Sequence, residues 1–261
     1  MPIISLAAGV LPDHSPQTTA RAAATAGFDA TGVWVDLDTW TDATTREMQA
    51  ILVGEGLPAL DVEVVWLAPG PLDDKWKRTV DIGRALGAPN VLVVSSDPDD
   101  AATAAKLVAL CEHGEGDIRI ALEFARFTQV TSIAQAAAIV RAVDHPAAAM
   151  LIDPLHLERT GGTPADVAAL PRDWLPYAQF CDAPPLDFDV TDVKAIIEEA
   201  IDRREQVGEG VLPLRALHAA LPPDTPLSIE LRSKALRDGY PDPVARAAAV
   251  LAATRRFLEG A

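Results

Sequence analysis

The chain has 261 residues, 49% of them hydrophobic but only 5% aromatic, which suits one large α/β domain with an aliphatic core and leaves no room for a second. Its 38 acids against 22 bases give a formal net charge of −16, and with no basic tract this excludes a nucleic-acid binder. No apolar run approaches the ~20 residues that cross a bilayer, and the N-terminus lacks the basic region of a secretory signal, so no membrane association and a cytoplasmic location are expected.

Eight strands are predicted in chain order: Ile3–Ala8, Thr31–Asp36, Leu60–Trp66, Asn90–Ser95, Ile118–Phe124, Ala147–Asp153, Pro176–Asp182 and Pro226–Leu231. The first seven start roughly every 29 residues, the length of a strand, a helix and two short loops. Helical stretches with recognisable ends lie between them. Ser15-Pro16 opens one that Gly27 stops, Thr131 or Ser132 opens Ile133–Val143, and Asp242-Pro243 opens the last and longest, Val244–Leu258. Eight regular units without a glycine-rich phosphate loop after the first strand favour a closed (β/α)8 barrel over an open doubly wound sheet, with residues 1–261 as a single domain. About 45 residues separate strands seven and eight, enough for a long active-site loop before a helix at Leu212–Ala220. Cys111 and Cys181 match no disulfide or zinc spacing and read as buried apolar residues.

In such a barrel the reactive groups gather at the C-terminal ends of the strands. Strands five to eight end in Glu123, Asp153, Gln179 and Glu230, each interrupting an apolar run. Three converging carboxylates repel one another unless a cation joins them. Three carboxylates and one amide suit one hard or borderline divalent ion, Mn²⁺ or Mg²⁺ first, with Co²⁺ or Zn²⁺ as further occupants. Arg126, Arg159, Arg204 and Arg232 lie past strand ends or in the long loop, where they could bind a substrate carboxylate or phosphate. His156 is placed to bond a substrate oxygen, and Trp34 and Trp66 to form an apolar wall. Asp182 is read as orienting a ligand or a loop, and His14 as an ordinary loop residue.

The segments Ala-Leu-Glu123-Phe, Ile-Asp153-Pro-Leu-His156, Gln179-Phe-Cys-Asp182, Arg204-Glu-Gln-Val-Gly208-Glu209-Gly210 and Ile-Glu230-Leu-Arg resemble the xylose isomerase-like TIM-barrel superfamily of sugar isomerases and epimerases. The resemblance covers nearly the whole chain and is strongest from Ala121 to Leu258. It implies that Glu123, Asp153, Gln179 and Glu230 are metal ligands, and that Glu123 and Glu230 exchange a proton beside a substrate carbonyl. It also implies that His156 and Arg204 touch substrate, and that the chain forms a homo-oligomer. Val207 departs from the family's pattern, which usually has Pro there. The expected activity is a metal-dependent isomerase or epimerase on a small sugar or hydroxy acid. A dehydroshikimate- or inosose-dehydratase-like lyase is the alternative, and a non-catalytic or partner-dependent sugar-binding barrel the third reading. Only five histidines argue against the multi-zinc endonuclease branch.

Overall fold

The segment Asn90–Ser95 is buried at every residue, on both faces. A strand with no solvent face needs cover on each side, which a parallel sheet wrapped by helices provides. The computed structural model, which describes residues 2–260, shows that arrangement. Its strands are β1 (Ile4–Leu6), β2 (Ala30–Trp34), β3 (Ala59–Leu67), β4 (Asn90–Ser95), β5 (Arg119–Glu123), β6 (Ala148–Leu151), β7 (Ala178–Phe180) and β8 (Leu227–Ile229). They pair in parallel in the order β6-β5-β4-β3-β2-β1-β8-β7. The remaining seam, between β6 and β7, is joined by a bridge between Ile152 and Ala178 and by the Gln179 N–H donating to the Ile152 carbonyl at 2.9 Å. The protein is a (β/α)8 barrel.

Helices α1 (Pro16–Ala26), α2 (Asp42–Glu55), α3 (Lys75–Leu86), α4 (Asp100–His113) and α5 (Ile133–Val143) follow the first five strands. The later units carry α6 (Pro154–Arg159), α7 (Pro164–Ala168), α8 (Val193–Asp202), α9 (Leu214–Ala220), α10 (Lys234–Gly239) and α11 (Pro243–Glu259). The expected caps are present: Ser15, Ser132 and Asp242 accept from the first-turn amides of α1, α5 and α11. Gly27 ends α1 at φ 90°, a left-handed conformation that costs a Cβ-bearing residue strain.

The expected 45-residue loop is only partly a loop, since α8 occupies its middle. The buried Asp182 carboxylate ties the rest down, accepting from the Gly208 N–H at 3.2 Å and the Leu212 N–H at 2.9 Å. Asp182 therefore orients this loop, as expected of it. Both cysteines are buried and free.

The first and last units are joined by a charged pair. Arg246, fully buried on α11, donates to Asp13 Oδ1 at 2.6 Å and Oδ2 at 3.0 Å, and to the Tyr240 carbonyl at 2.9 Å. The bond to Arg246 holds the Asp13 carboxyl down at about 2, from an ordinary 3.8.

Arg246→Met strands the Tyr240 and Val10 carbonyls, the latter bonded at 3.4 Å, and frees Asp13 to water, and should cost about 2 kcal/mol in urea unfolding. Because the folded carboxyl titrates below the unfolded one, the pair's contribution is complete above pH ~4 and is lost as pH falls through about 2. A variant as stable as the parent at pH 7, or a difference that persists unchanged at pH 2, would show that the pair holds nothing.

Candidate metal centre and substrate cavity

Alternation along each parallel strand sends every second side chain into the barrel. That register turns inward Ala121 and Glu123 on β5, Tyr177 just before β7 and Gln179 on it, and Ser228 on β8 with Glu230 just past it. Asp153 follows β6 and serves as N-cap of α6, where Oδ1 accepts from the Leu155 and His156 N–H groups at 2.7 and 3.1 Å. The cap fixes one oxygen and leaves Oδ2 facing the barrel axis. Oδ2 accepts from Arg204 Nη1 at 2.5 Å.

Ligand atoms of Glu123, Asp153 and His156 all lie within 4.8 Å of one another. The Gln179 amide closes the group, one end standing 3.0 Å from Glu123 Oε1 and 3.2 Å from Asp153 Oδ2. With its nitrogen on that side the amide bridges two acceptors; with its oxygen there, three oxygens point at one spot, as around a cation. Glu230 adds a buried Oε2 that has no hydrogen-bond partner. The donor set of Glu123, Asp153 and His156, with the Gln179 amide beside them, therefore fits a divalent ion, whereas Glu230 lines the same cavity without joining that close group. His156 stands closer to the acids than a purely substrate-facing role requires.

The electrostatics point the same way. Burial pushes the Glu123 carboxyl well up, and the Asp153 charge adds to it. Burial also raises Glu230, against the pull of Arg204 and Arg232. Burial works on Asp153 too, but Arg204 and His156 outweigh it and hold that carboxyl low. Burial takes His156 down to about 4, so its imidazole is neutral and free to ligate or to hydrogen-bond.

Two further acids sit on β3. Asp61 and Glu63 are buried inward-facing residues two apart. Tyr177 donates to Asp61 Oδ2 at 3.3 Å, while the Ala8 N–H donates to Glu63 Oε1 at 3.2 Å. Burial and the nearby Glu230 raise Asp61 to about 7 and Glu63 well above its ordinary range. Both were legible as an Asp-Val-Glu alternation in an otherwise apolar strand, and sequence reasoning missed them.

Above the acids opens a cavity of about 280 Å³. Glu63, Glu123, Gln179, Glu230, His156 and Arg204 supply its polar lining. Its walls are apolar: Trp34, Trp66, Leu92 and Phe127 from the barrel, Ile197 and Ile201 from α8. Both expected tryptophans are there. Arg232 lines the cavity as well, but the other arginines are placed differently from expectation. Arg159 is locked in the protein, donating to both Glu199 oxygens at 2.9 and 2.7 Å and to the Pro184 carbonyl. Arg126 donates to the Val190 carbonyl and does not line the cavity. Past a strand end, these side chains turned to the nearest buried acid or carbonyl rather than inward. Arg204 faces the cavity yet is committed to Asp153.

The family model described as "Xylose isomerase-like TIM barrel" matches residues 20–257. A 3-dehydroshikimate dehydratase of Pseudomonas putida is 32% identical over 126 residues, 46% of this chain but only 20% of that protein's length. Among solved structures, the IOLI protein with a bound zinc atom superposes with TM-score 0.82 at 16% identity, covering 100% of this chain and 99% of its own. D-psicose 3-epimerase from Clostridium cellulolyticum H10, with D-tagatose, gives TM-score 0.71 at 12% identity, covering 99% of each chain. At such identities the two structures show the fold. No helix among the described residues is long and apolar enough to cross a membrane.

Because burial raises the Glu123 and Glu230 carboxyls, a cation bound there competes with protons for them. Titrating Mn²⁺ or Zn²⁺ into metal-free protein, in two buffers of different ionisation heat at pH 7, should show release of about one proton per ion. Asp153→Asn should weaken the ion at least ~10-fold. Tight binding with no proton release would mean that the acids are ionised beforehand, against the direction assigned to them here.

Proposed function

The chain belongs to the xylose isomerase-like TIM barrel family, and on that footing we propose that it is a divalent-metal-dependent isomerase or epimerase, moving a proton beside the carbonyl of a small hydroxylated substrate. One observation carries this reading: Glu123, Asp153, His156 and Gln179 converge, and all of them but the buried Asp153 line a cavity that Glu230 also lines.

A bound divalent ion would supply Lewis-acid polarisation of the substrate carbonyl and would be held by Glu123, Asp153, Gln179 and Glu230, with His156 within reach. The proton transfers fall to the chain's own carboxylates. An ordinary carboxylate near pKa ~4 is a weak base, and burial lifts Glu123 and Glu230 toward the range where a base works at neutral pH. Neutral His156 can donate to a substrate hydroxyl. Trp34, Trp66 and the α8 isoleucines, each about 40% exposed, offer apolar surface on which substrate carbons can pack.

The second reading is a dehydratase, in which the same proton abstraction is followed by loss of hydroxide as water. Similarity to the P. putida enzyme favours it, as do Trp34, Trp66 and Phe127 in the cavity wall, whose ring faces suit a cyclic substrate.

Incubation with Mn²⁺ and a panel of ketoses and cyclic hydroxy-ketones in D₂O separates the two. Deuterium entering the carbon beside the carbonyl, with the substrate's composition otherwise kept, indicates isomerisation or epimerisation; an ultraviolet-absorbing enone or aromatic product indicates dehydration. Glu123→Gln and Glu230→Gln should each lower turnover by about 10²–10⁴. Full activity in either variant would remove that carboxylate from the chemistry.

A further inference from the structure

A second cavity, of about 240 Å³, adjoins the first between the ends of β1, β2 and β8. The two share Trp34 and Arg232 as common walls. Of the residues around the second cavity, Arg232 and His14 carry its ionisable side chains.

The state of Arg232 sets it apart from the other arginines of this mouth. Arg159 is spent on Glu199, Arg204 on Asp153, and Arg246 on Asp13. Arg232 makes no side-chain hydrogen bond or ion pair among the described residues, and its Nε is buried without a partner. Glu63 and Glu230 are near enough for its charge to be felt by both, yet neither comes within 4 Å of it. A half-buried guanidinium left unpaired is costly, and five donors in a planar fork match one complement best, an oxyanion.

His14 repeats the pattern. Its Nε2 is buried and unbonded, with Asp13 Oδ2 the nearest charge at 3.6 Å, and both Asp13 oxygens are already taken by Arg246. The cavity also opens toward the acids. A Cβ at Gly9 would stand 2.2 Å from Glu230 Oε1, and one at Gly32 would stand 3.0 Å from Asp61 Oδ1. Neither glycine has a positive φ, so the want of a side chain, rather than a turn, explains both.

We propose that this second cavity is an anion subsite, in which Arg232 and His14 take a carboxylate or phosphate group of a substrate whose reacting carbons lie over Glu230 in the neighbouring cavity. The inference rests on the reading of that neighbour as the reaction site, and it narrows the substrate from a neutral sugar to an acid or phosphate ester.

The test is calorimetric and independent of turnover. Benzoate, neutral benzamide and phenyl phosphate are titrated into the full chain, the ring serving to rest on Trp34. Benzoate should bind at least ~10-fold more tightly than benzamide, and added salt should weaken benzoate alone. Arg232→Gln should abolish the preference, Arg232→Lys should retain part of it, and His14→Gln should reduce it by a few-fold. Phenyl phosphate binding above benzoate identifies the group as phosphate, and the reverse identifies it as carboxylate. Equal affinity for benzoate and benzamide, or a salt-insensitive preference that survives Arg232→Gln, would overturn the subsite. Such a result would leave deuterium exchange at the neighbouring site intact, whereas a failure of that exchange with the anion preference kept would sink the catalytic reading alone.

Discussion

Asp61, Glu63, Glu123, Asp153 and Glu230 are all buried in the barrel, three of them lining its cavity, with Arg204 and Arg232 as the cations beside them. Burying carboxylates at this density costs more than the fold can supply unless most are neutral or joined to positive charge. The Arg204–Asp153 pair decides which acid stays ionised. Arg204 Nη1 meets Asp153 Oδ2, while the α6 amides meet Oδ1, so Asp153 keeps its charge and Glu123 and Glu230 are pushed up around it. The site is thus one fixed anion beside carboxyls whose proton affinity burial has raised. That arrangement serves a base and an incoming cation equally well.

The barrel and the acids at the strand ends were legible because each depends on a local signal. A β-branched run ending in one polar residue identifies an inward-facing position, whatever the rest of the chain does. Glu123, Asp153, Gln179 and Glu230 could be read in that way, as could the caps of α1, α5 and α11. Where a side chain goes after the strand has ended is not local. Arg159 and Arg204 look alike in sequence, each following a strand or helix near the mouth. Arg159 meets Glu199, forty residues away on a helix the sequence reading did not anticipate, and Arg204 meets Asp153. Helix α8 itself was hidden because it lies inside an interval judged by its length alone, although Val193, Ile197 and Ile201 recur at helical spacing. Asp61 and Glu63 were hidden for the opposite reason, since their strand was recognised but its acids lie inside the strand, where only strand ends were read for reactive groups.

The same acids bear on how the barrel closes. Seven of the eight strand interfaces are parallel ladders, those of β3 with β2 and β4 broken by a register shift, whereas β6 and β7 are joined only by the bridge from Ile152 to Ala178 and the amide of Gln179. The side chains immediately beyond that bridge on each side are Asp153 and Gln179, whose ends stand 3.2 Å apart. Backbone pairing gives way there because Asp153 leaves the strand to cap α6, and what remains across the seam is a side-chain contact. A ligand held by both residues would add its binding free energy to the folded state alone, about 2.7 kcal/mol at a concentration 100-fold above its Kd. The weakest interface of the barrel and the densest part of the candidate site are one place. The geometry that gathers the acids is also what thins the ladder, so site and seam stand or fall together.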